Sequence, residues 1–341
     1  MPRWRGGKSV SESSLIDPMT PKKRVSIVCP VFNEEEAVPL FYERMQKAIT
    51  PLRAEIDFEL IFTNNRSTDR TLEVILALRE QDPTVQVISL SRNFGYQASV
   101  TSGLRYATGD AIVVIDVDCE DPPELIPQFI EEWRKGYDIV YGLRWKRSEL
   151  HVVHLMRKAF YRINKAVADS DIILDMAEFA LVGAYVRDQM LANNSTYPFL
   201  RAEAAFVGFQ RKGIAYQRQP RLRGKTHYNF MGMARFAIAG ILSSSTFPLR
   251  LVAYVCWPLL LLDLVLLIAI AVMASPTRLF LVGVMVNMVF LVFSIAFVAL
   301  YLARTYKNAV ARPLYIVDWR YTTIPSPNLG SQGAQESGGG G

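Results

Sequence analysis

Two long apolar runs constrain this chain more than any other feature. Residues 251–273 carry one charge, Asp263, and residues 280–302 carry none. Each run is about 23 residues long, enough to cross a hydrocarbon core of ~30 Å as a helix. Charge-poor runs of this length are rare in water-soluble folds, so the sequence predicts two spanning helices. The link between them, 274–279, is short and makes them a hairpin. Positive charge is heavy before it (Arg211, Lys212, Arg221, Arg223, Lys225, Arg235, Arg250) and after it (Arg304, Lys307, Arg312), against a single Arg278 in the link. The positive-inside bias then places both termini in the cytoplasm. Asp263 is costly in lipid. Asn287 of the second run is its candidate partner, within the hairpin or across two copies.

The rest of the chain reads as soluble protein. Strand patterns at 24–30, 58–63, 85–90, 111–116 and 137–141 alternate with helical patterns at 34–49, after the Ser67-Thr68-Asp69 cap through Arg79, at 98–107 and at 123–135. Asn33 is the expected cap of the first helix, and Gly136 of the last. This alternation predicts an α/β domain, a mostly parallel sheet with helices on both faces. Ligands of such sheets bind beyond the carboxyl ends of the strands. Those ends carry Asn33-Glu34, Asn64-Asn65, Ser91-Arg92-Asn93 and Asp116 with Asp118. A further strand is expected within 205–216. Gly-x-Gly-x-x-Gly and P-loop patterns are missing, which disfavours dehydrogenases and P-loop kinases.

The fourth strand runs into Asp116-Val117-Asp118-Cys119-Glu120-Asp121-Pro122-Pro123. If the chain stays extended, side chains alternate and Asp116, Asp118 and Glu120 share one face. Carboxylates so arranged repel unless a cation lies among them. Oxygen ligands at a strand end suit Mg²⁺ or Mn²⁺, typically holding a substrate diphosphate. The alternative is an acidic loop after a buried strand. Net charge is +6 and the isoelectric point about 9.1. That balance fits an anionic leaflet. No zinc, ribonucleoprotein or basic-helix pattern supports nucleic acid as a partner. Cys29, Cys119 and Cys256 are scattered in apolar contexts and suggest neither a disulfide nor a metal set.

The expected organisation is a disordered basic tail without a signal peptide (1–23), a catalytic domain (24–228), an interfacial helix region (229–248, its helix at 229–242), the hairpin (249–303), a C-terminal strand segment (304–325) and a low-complexity tail (326–341).

Taken in order, the motifs make the chain resemble the family 2 glycosyltransferases, whose catalytic domain has the GT-A fold. They are Pro30-Val31-Phe32-Asn33-Glu34, Ser91-Arg92-Asn93-Phe94-Gly95, the acidic run through Glu124, Gly142-Leu143-Arg144, the basic run from Arg221 to Tyr228, the hairpin, and Arg312-Pro313-Leu314-Tyr315-Ile316-Val317. Within that family the chain is similar to polyprenyl-phosphate glycosyltransferases, such as dolichyl-phosphate mannose synthases and bacterial undecaprenyl-phosphate glucosyltransferases. The resemblance implies a membrane enzyme that moves a sugar from a nucleotide diphosphate, a UDP-sugar first of all, to a polyprenyl phosphate with inversion. It further implies a location in the cytoplasmic membrane and a homo-oligomer, with 313–317 reaching a neighbour. Pro30, Phe32, Glu34, Asn64, Asn93, Asp116 and Glu178 would contact the nucleotide sugar. Asp118 and Glu120 would hold Mg²⁺ or Mn²⁺, Glu120 standing where the family usually has Gln. Arg144, Arg157, Arg221, Arg223 and His227 would meet the acceptor phosphate, and Arg144 and Arg221 would join the carboxylates in catalysis.

Two departures stand out. The usual Asp-Asp-Gly-Ser is Asn64-Asn65-Arg66-Ser67 here, and the usual Asp-Phe-Arg is Glu178-Phe179-Ala180. They motivate a non-catalytic sugar-lipid binding partner as the alternative from another class. A processive polysaccharide synthase is the nearer rival, but its Gln-x-x-Arg-Trp motif is missing.

Overall fold

The computed structural model describes residues 22–144, 176–192, 200–220, 246–272 and 276–326. The first strand, β1 (Lys23–Val31), leads through a turn to helix α1 (Ala37–Ile49). Then come β2 (Ile56–Asn64), α2 (Thr71–Gln81), β3 (Val85–Ser89), α3 (Tyr96–Tyr106) and β4 (Ala111–Val114). A short 3-10 turn, Pro123–Leu125, precedes α4 (Ile126–Arg134), and β5 (Ile139–Arg144) follows. Beyond it lie β6 (Met176–Gly183), α5 (Ala184–Ala192), α6 (Leu200–Phe206) and β7 (Arg211–Tyr216). The described chain closes with α7 (Phe247–Val272), α8 (Pro276–Val310) and a 3-10 turn, Trp319–Tyr321.

The strands form one seven-stranded sheet in the order β3-β2-β1-β4-β6-β5-β7. All pairings are parallel except those of β6, which runs against both β4 and β5. Period-two alternation sends Val25, Ile27, Cys29 and Val31 of β1 to one face, where Phe41 and Met45 of α1, Ile75 of α2 and Phe129 of α4 cover them. Val28 faces the other way, onto Val100 and Leu104 of α3, a layer that continues through Val186 of α5 and Ala204 of α6. Helix α3 lies so close to the sheet that a Cβ on Gly103 would stand 2.2 Å from Val28 Cγ1. Burial on both faces explains why these strands read as near-continuous apolar runs. The chain order reverses between β1 and β4, and that switch opens a crevice at the carboxyl edge.

The helices α7 and α8 are long and apolar enough to cross a membrane, and their apolar windows are 6% and 0% buried within the protein. Asn287 Nδ2 of α8 donates to Asp263 Oδ1 of α7 at 2.8 Å, so the polar pair closes inside the hairpin. Helix α8 continues to Val310 instead of ending near 302. The segment after it runs beside β3 of its own sheet. Ser91 N donates to Ile316 O at 2.9 Å, Asp318 N to Ser89 O at 2.7 Å and Thr323 N to Val87 O at 2.9 Å. The strand expected to reach a neighbour is therefore an edge partner within the chain, because β3 offers it unpaired backbone groups.

Candidate active site

The carboxyl edge is assembled first by asparagines. Asn33 sits at φ +56°, a left-handed conformation its short amide tolerates. Its Oδ1 accepts from Thr68 N at 2.8 Å, tying the β1 turn to the loop after β2. Asn33 is thus not the cap of α1; Glu36 holds that position, and the Glu34 carbonyl accepts from Ala37 N and Val38 N. Asn64 is 2% exposed. Its amide donates to Ser89 Oγ at 3.1 Å and accepts from Ser67 N at 3.0 Å, so both ends already serve the scaffold. Asn65 Nδ2 donates to Asn93 Oδ1 at 3.0 Å, and Asn93 Oδ1 also takes the Gly95 N–H at 2.9 Å. Gly95 opens α3 at φ +92°, a conformation that favours glycine. Asn64 and Asn93, expected at the nucleotide sugar, thus shape the crevice wall. Pro30 is buried in β1, opposite Thr63 of β2, while Phe32 and Glu34 remain partly open at the crevice mouth.

The acidic run does not stay extended. Strand β4 ends at Val114, the chain turns at Val117 and Asp118, and Cys119 adopts φ +59°. Asp118 Oδ1 accepts from the Glu120 N–H at 3.0 Å, closing a turn that breaks the period-two alternation. The shared face expected for Asp116, Asp118 and Glu120 is corrected on that ground. Glu120 pairs with Arg218, just beyond β7. Among the described residues no group of three or more His, Cys, Asp and Glu stands close enough to hold a metal ion. Glu120 as a third ligand therefore has no support in the geometry; its carboxylate fastens the turn.

Asp121, 2% exposed, receives Tyr216 Oη–H of β7 and Arg144 Nη2 of β5, the latter at 3.0 Å. Arg144 Nε also reaches Tyr216 Oη at 3.3 Å. Arg144 is thereby committed to a buried carboxylate at the base of the turn. On the outer side, Arg44 of α1 grips Glu124 with two hydrogen bonds of 2.9 and 2.8 Å and reaches Gln219 at 3.0 Å. The end of β7 and the segment after it thus clasp the acidic turn through Tyr216, Arg218 and Gln219.

Asp116 is half-buried at this edge and takes the Tyr96 hydroxyl hydrogen at 2.8 Å. Burial first, then the charge of Asp118, raises its pKa from 3.8 to about 7, against the lowering effect of Tyr96. Glu178 of β6 lies at the same edge because β6 runs antiparallel, and Arg201 Nε of α6 stands 2.9 Å from its Oε1. Arg157, Arg221, Arg223, His227 and the interfacial helix at 229–242 lie outside the described residues. Tyr96, Arg201, Tyr216 and Arg218 escape a linear reading, since nothing in their local sequence marks them; the packing of α3 on the sheet, the placement of α6 beside β6 and the return of β7 bring them in.

Comparison with known proteins adds to this geometry. Residues 26–170 match the family model described as Glycosyl transferase family 2. The chain is similar to the uncharacterized glycosyltransferase YkcC of Bacillus subtilis (strain 168), 35% identical over 306 residues that cover 87% of this chain and 94% of that one. It is similar at 34% over 311 residues to the prophage bactoprenol glucosyl transferase homolog of Escherichia coli (strain K12), with 86% and 98% of the two chains covered. A solved structure, mannosyltransferase PcManGT from Pyrobaculum calidifontis in complex with GDP-Man and Mn²⁺, aligns at 16% identity over 86% of this chain and 89% of that one, with a TM-score of 0.43.

Proposed function

The chain belongs to glycosyl transferase family 2 and has its GT-A fold, and from that premise we propose that it transfers a sugar from a nucleotide diphosphate, first of all a UDP-sugar, to a polyprenyl phosphate, with inversion. One observation carries the reading: the acidic turn stands at the switch-point crevice of a chain that also carries a membrane-length hairpin. The similarity to a bactoprenol glucosyl transferase homolog runs across both parts.

The chemistry asks little of a general base. A phosphate monoester has its second pKa near ~6 and is largely dianionic at neutral pH, so the acceptor is its own nucleophile. What the protein supplies is in-line positioning and stabilisation of the departing diphosphate. Asp116 and Asp118 form an all-oxygen donor set at a strand end. It fits a hard cation that keeps water and substrate phosphates as its remaining ligands. When bound there, Mg²⁺ or Mn²⁺ would neutralise charge developing on the nucleotide. Phe32 and Glu34 flank the nucleotide, and Tyr96 holds Asp116 in place. Arg144 anchors the turn through Asp121, which leaves Arg157, Arg221, Arg223 and His227 as the cations for the acceptor phosphate. The hairpin keeps the prenyl tail in the bilayer, with the catalytic domain on the cytoplasmic side. On this reading the enzyme works as a homo-oligomer.

The test is nucleotide release by the purified full-length chain given undecaprenyl phosphate, Mg²⁺ or Mn²⁺, and UDP- and GDP-sugars one at a time. Acceptor-dependent release from one donor, stopped by EDTA, is the expected result. Release that is indifferent to the acceptor would remove the polyprenyl phosphate from the reading. Release that persists in EDTA would remove the metal.

A further inference from the structure

The ladder between β4 and β6 pairs Ala111 with Gly183 and Val114 with Ala180. Continued past its last pair, this register sets Asp116 opposite Glu178. Like charges facing each other on neighbouring strands repel. Glu178 is only 7% exposed, so water screens them poorly. Two other elements supply the answer. Tyr96 of α3 donates to Asp116, and Arg201 of α6 stands 2.9 Å from Glu178 Oε1. The second carboxylate oxygen, Oε2, is buried and accepts no hydrogen bond. A buried acceptor without a donor is unfavourable, and such an atom in a native fold calls for a donor from outside the chain. Glu178 shares the crevice edge with the acidic turn, where the reacting end of a nucleotide sugar lies on the reading above. A sugar offers hydroxyl donors at that place.

We propose that Arg201 is a positioning residue for the transferred sugar: it fixes the Glu178 side chain so that its spare acceptor oxygen takes a hydroxyl hydrogen of that sugar. The inference rests on the proposed transferase reading and deepens it at one subsite. Residue 180 of β6 is alanine, so no cation comes from the strand itself, and α6 delivers one from across the fold.

The experiment compares equilibrium binding of a UDP-sugar with binding of UDP alone, on full-length protein in detergent, for wild type, Arg201→Gln, Arg201→Lys and Glu178→Gln. Arg201→Gln and Glu178→Gln are expected to weaken the UDP-sugar by about tenfold or more, the worth of one hydrogen bond to a charged group. UDP itself should stay within about twofold, and Lys should restore most of the loss, since it returns the charge. Should Arg201→Gln fail to fold, Glu178→Gln keeps the side-chain shape and carries the same expectation. Unchanged UDP-sugar binding overturns the proposal, and so does a parallel loss of UDP, which marks a merely structural pair. A wild type that binds both ligands but releases no nucleotide defeats transfer while leaving the binding ratio to judge Arg201. A wild type that binds neither defeats both.

Discussion

Strand β4 and helix α7 are built from the same residue types and treat them in opposite ways. Ile112, Val113 and Val114 are 0%, 0% and 1% exposed, whereas Leu264, Val265, Leu267 and Ile268 of α7 stand at 54%, 55%, 67% and 57%. The sheet makes its own apolar medium by sandwiching short strands between helices. The hairpin leaves its side chains uncovered by the rest of the chain, and apolar content alone does not distinguish the two. Length and neighbours do: four residues in β4 fit between covering helices, while the 26 residues of α7 and 35 of α8 outrun any layer the domain offers. Polar groups follow the same division. The sheet edge gathers a dense network, whereas Asn287 and Asp263 join the two hairpin helices by a side-chain hydrogen bond.

The largest test of this contrast is a matched pair of truncations. Phe62→Ala empties a fully buried core position beside Phe41 and should cost about 3–5 kcal/mol. Leu267→Ala, on a side chain 67% exposed, should cost under about 1 kcal/mol in detergent. Denaturant midpoints compare them, and equal losses would mean that the hairpin face is packed against something in the purified protein.

Next in size is Asp121→Asn. It leaves Arg144, 17% exposed at its side chain, without its carboxylate, and should cost up to about 3 kcal/mol. A loss below ~0.5 kcal/mol would show that Tyr216 alone holds the turn.

A third measurement concerns the proton on Asp116, whose pKa rises from 3.8 to about 7 through burial and then the charge of Asp118. Between about pH 4 and about pH 7 the folded, ligand-free protein keeps a proton that the unfolded chain has released. Stability contributed by this group therefore falls as pH rises through that window and levels off above it. Asp116→Asn should flatten the melting-temperature difference between about pH 5 and about pH 7.5; an unaltered slope would assign it to other groups.

The smallest effect belongs to the hairpin. Asn287→Ala removes the amide donor from Asp263 and should cost about 1 kcal/mol, read by unfolding in detergent. A loss comparable to Phe62→Ala would erase the distinction between the two regions.

The sequence made the parallel half of the sheet legible because strands buried on both faces announce themselves as apolar runs between helical periods. It made β6 illegible. Met176–Gly183 falls in a stretch whose sequence shows neither clear strand alternation nor a helical period, and nothing local in it fixes the strand's direction. Asp116 and Asp118 could be named from their place after a strand, but not how they would point, because the turn at Cys119 is set by the Asp118 side chain closing on the Glu120 amide. Arg144 was legible as a cation, but its bond to Asp121 was not, because the turn that presents Asp121 lies 23 residues earlier in the chain. Arg201 and Tyr96 show the general case: a side chain recruited by tertiary register leaves no trace in spacing.

The segment pairing with β3 also has a consequence in time. Val87 N donates to Thr323 Oγ1, a partner 236 positions further along the chain. At the usual pace of synthesis that partner emerges on the order of 10–50 s after β3 itself, and only once both hairpin helices have left the ribosome. Until then the sheet has an open flank. That flank of the sheet is therefore completed last, by residues that follow the hairpin, so a chain halted before the hairpin carries the acidic turn yet lacks its closing edge.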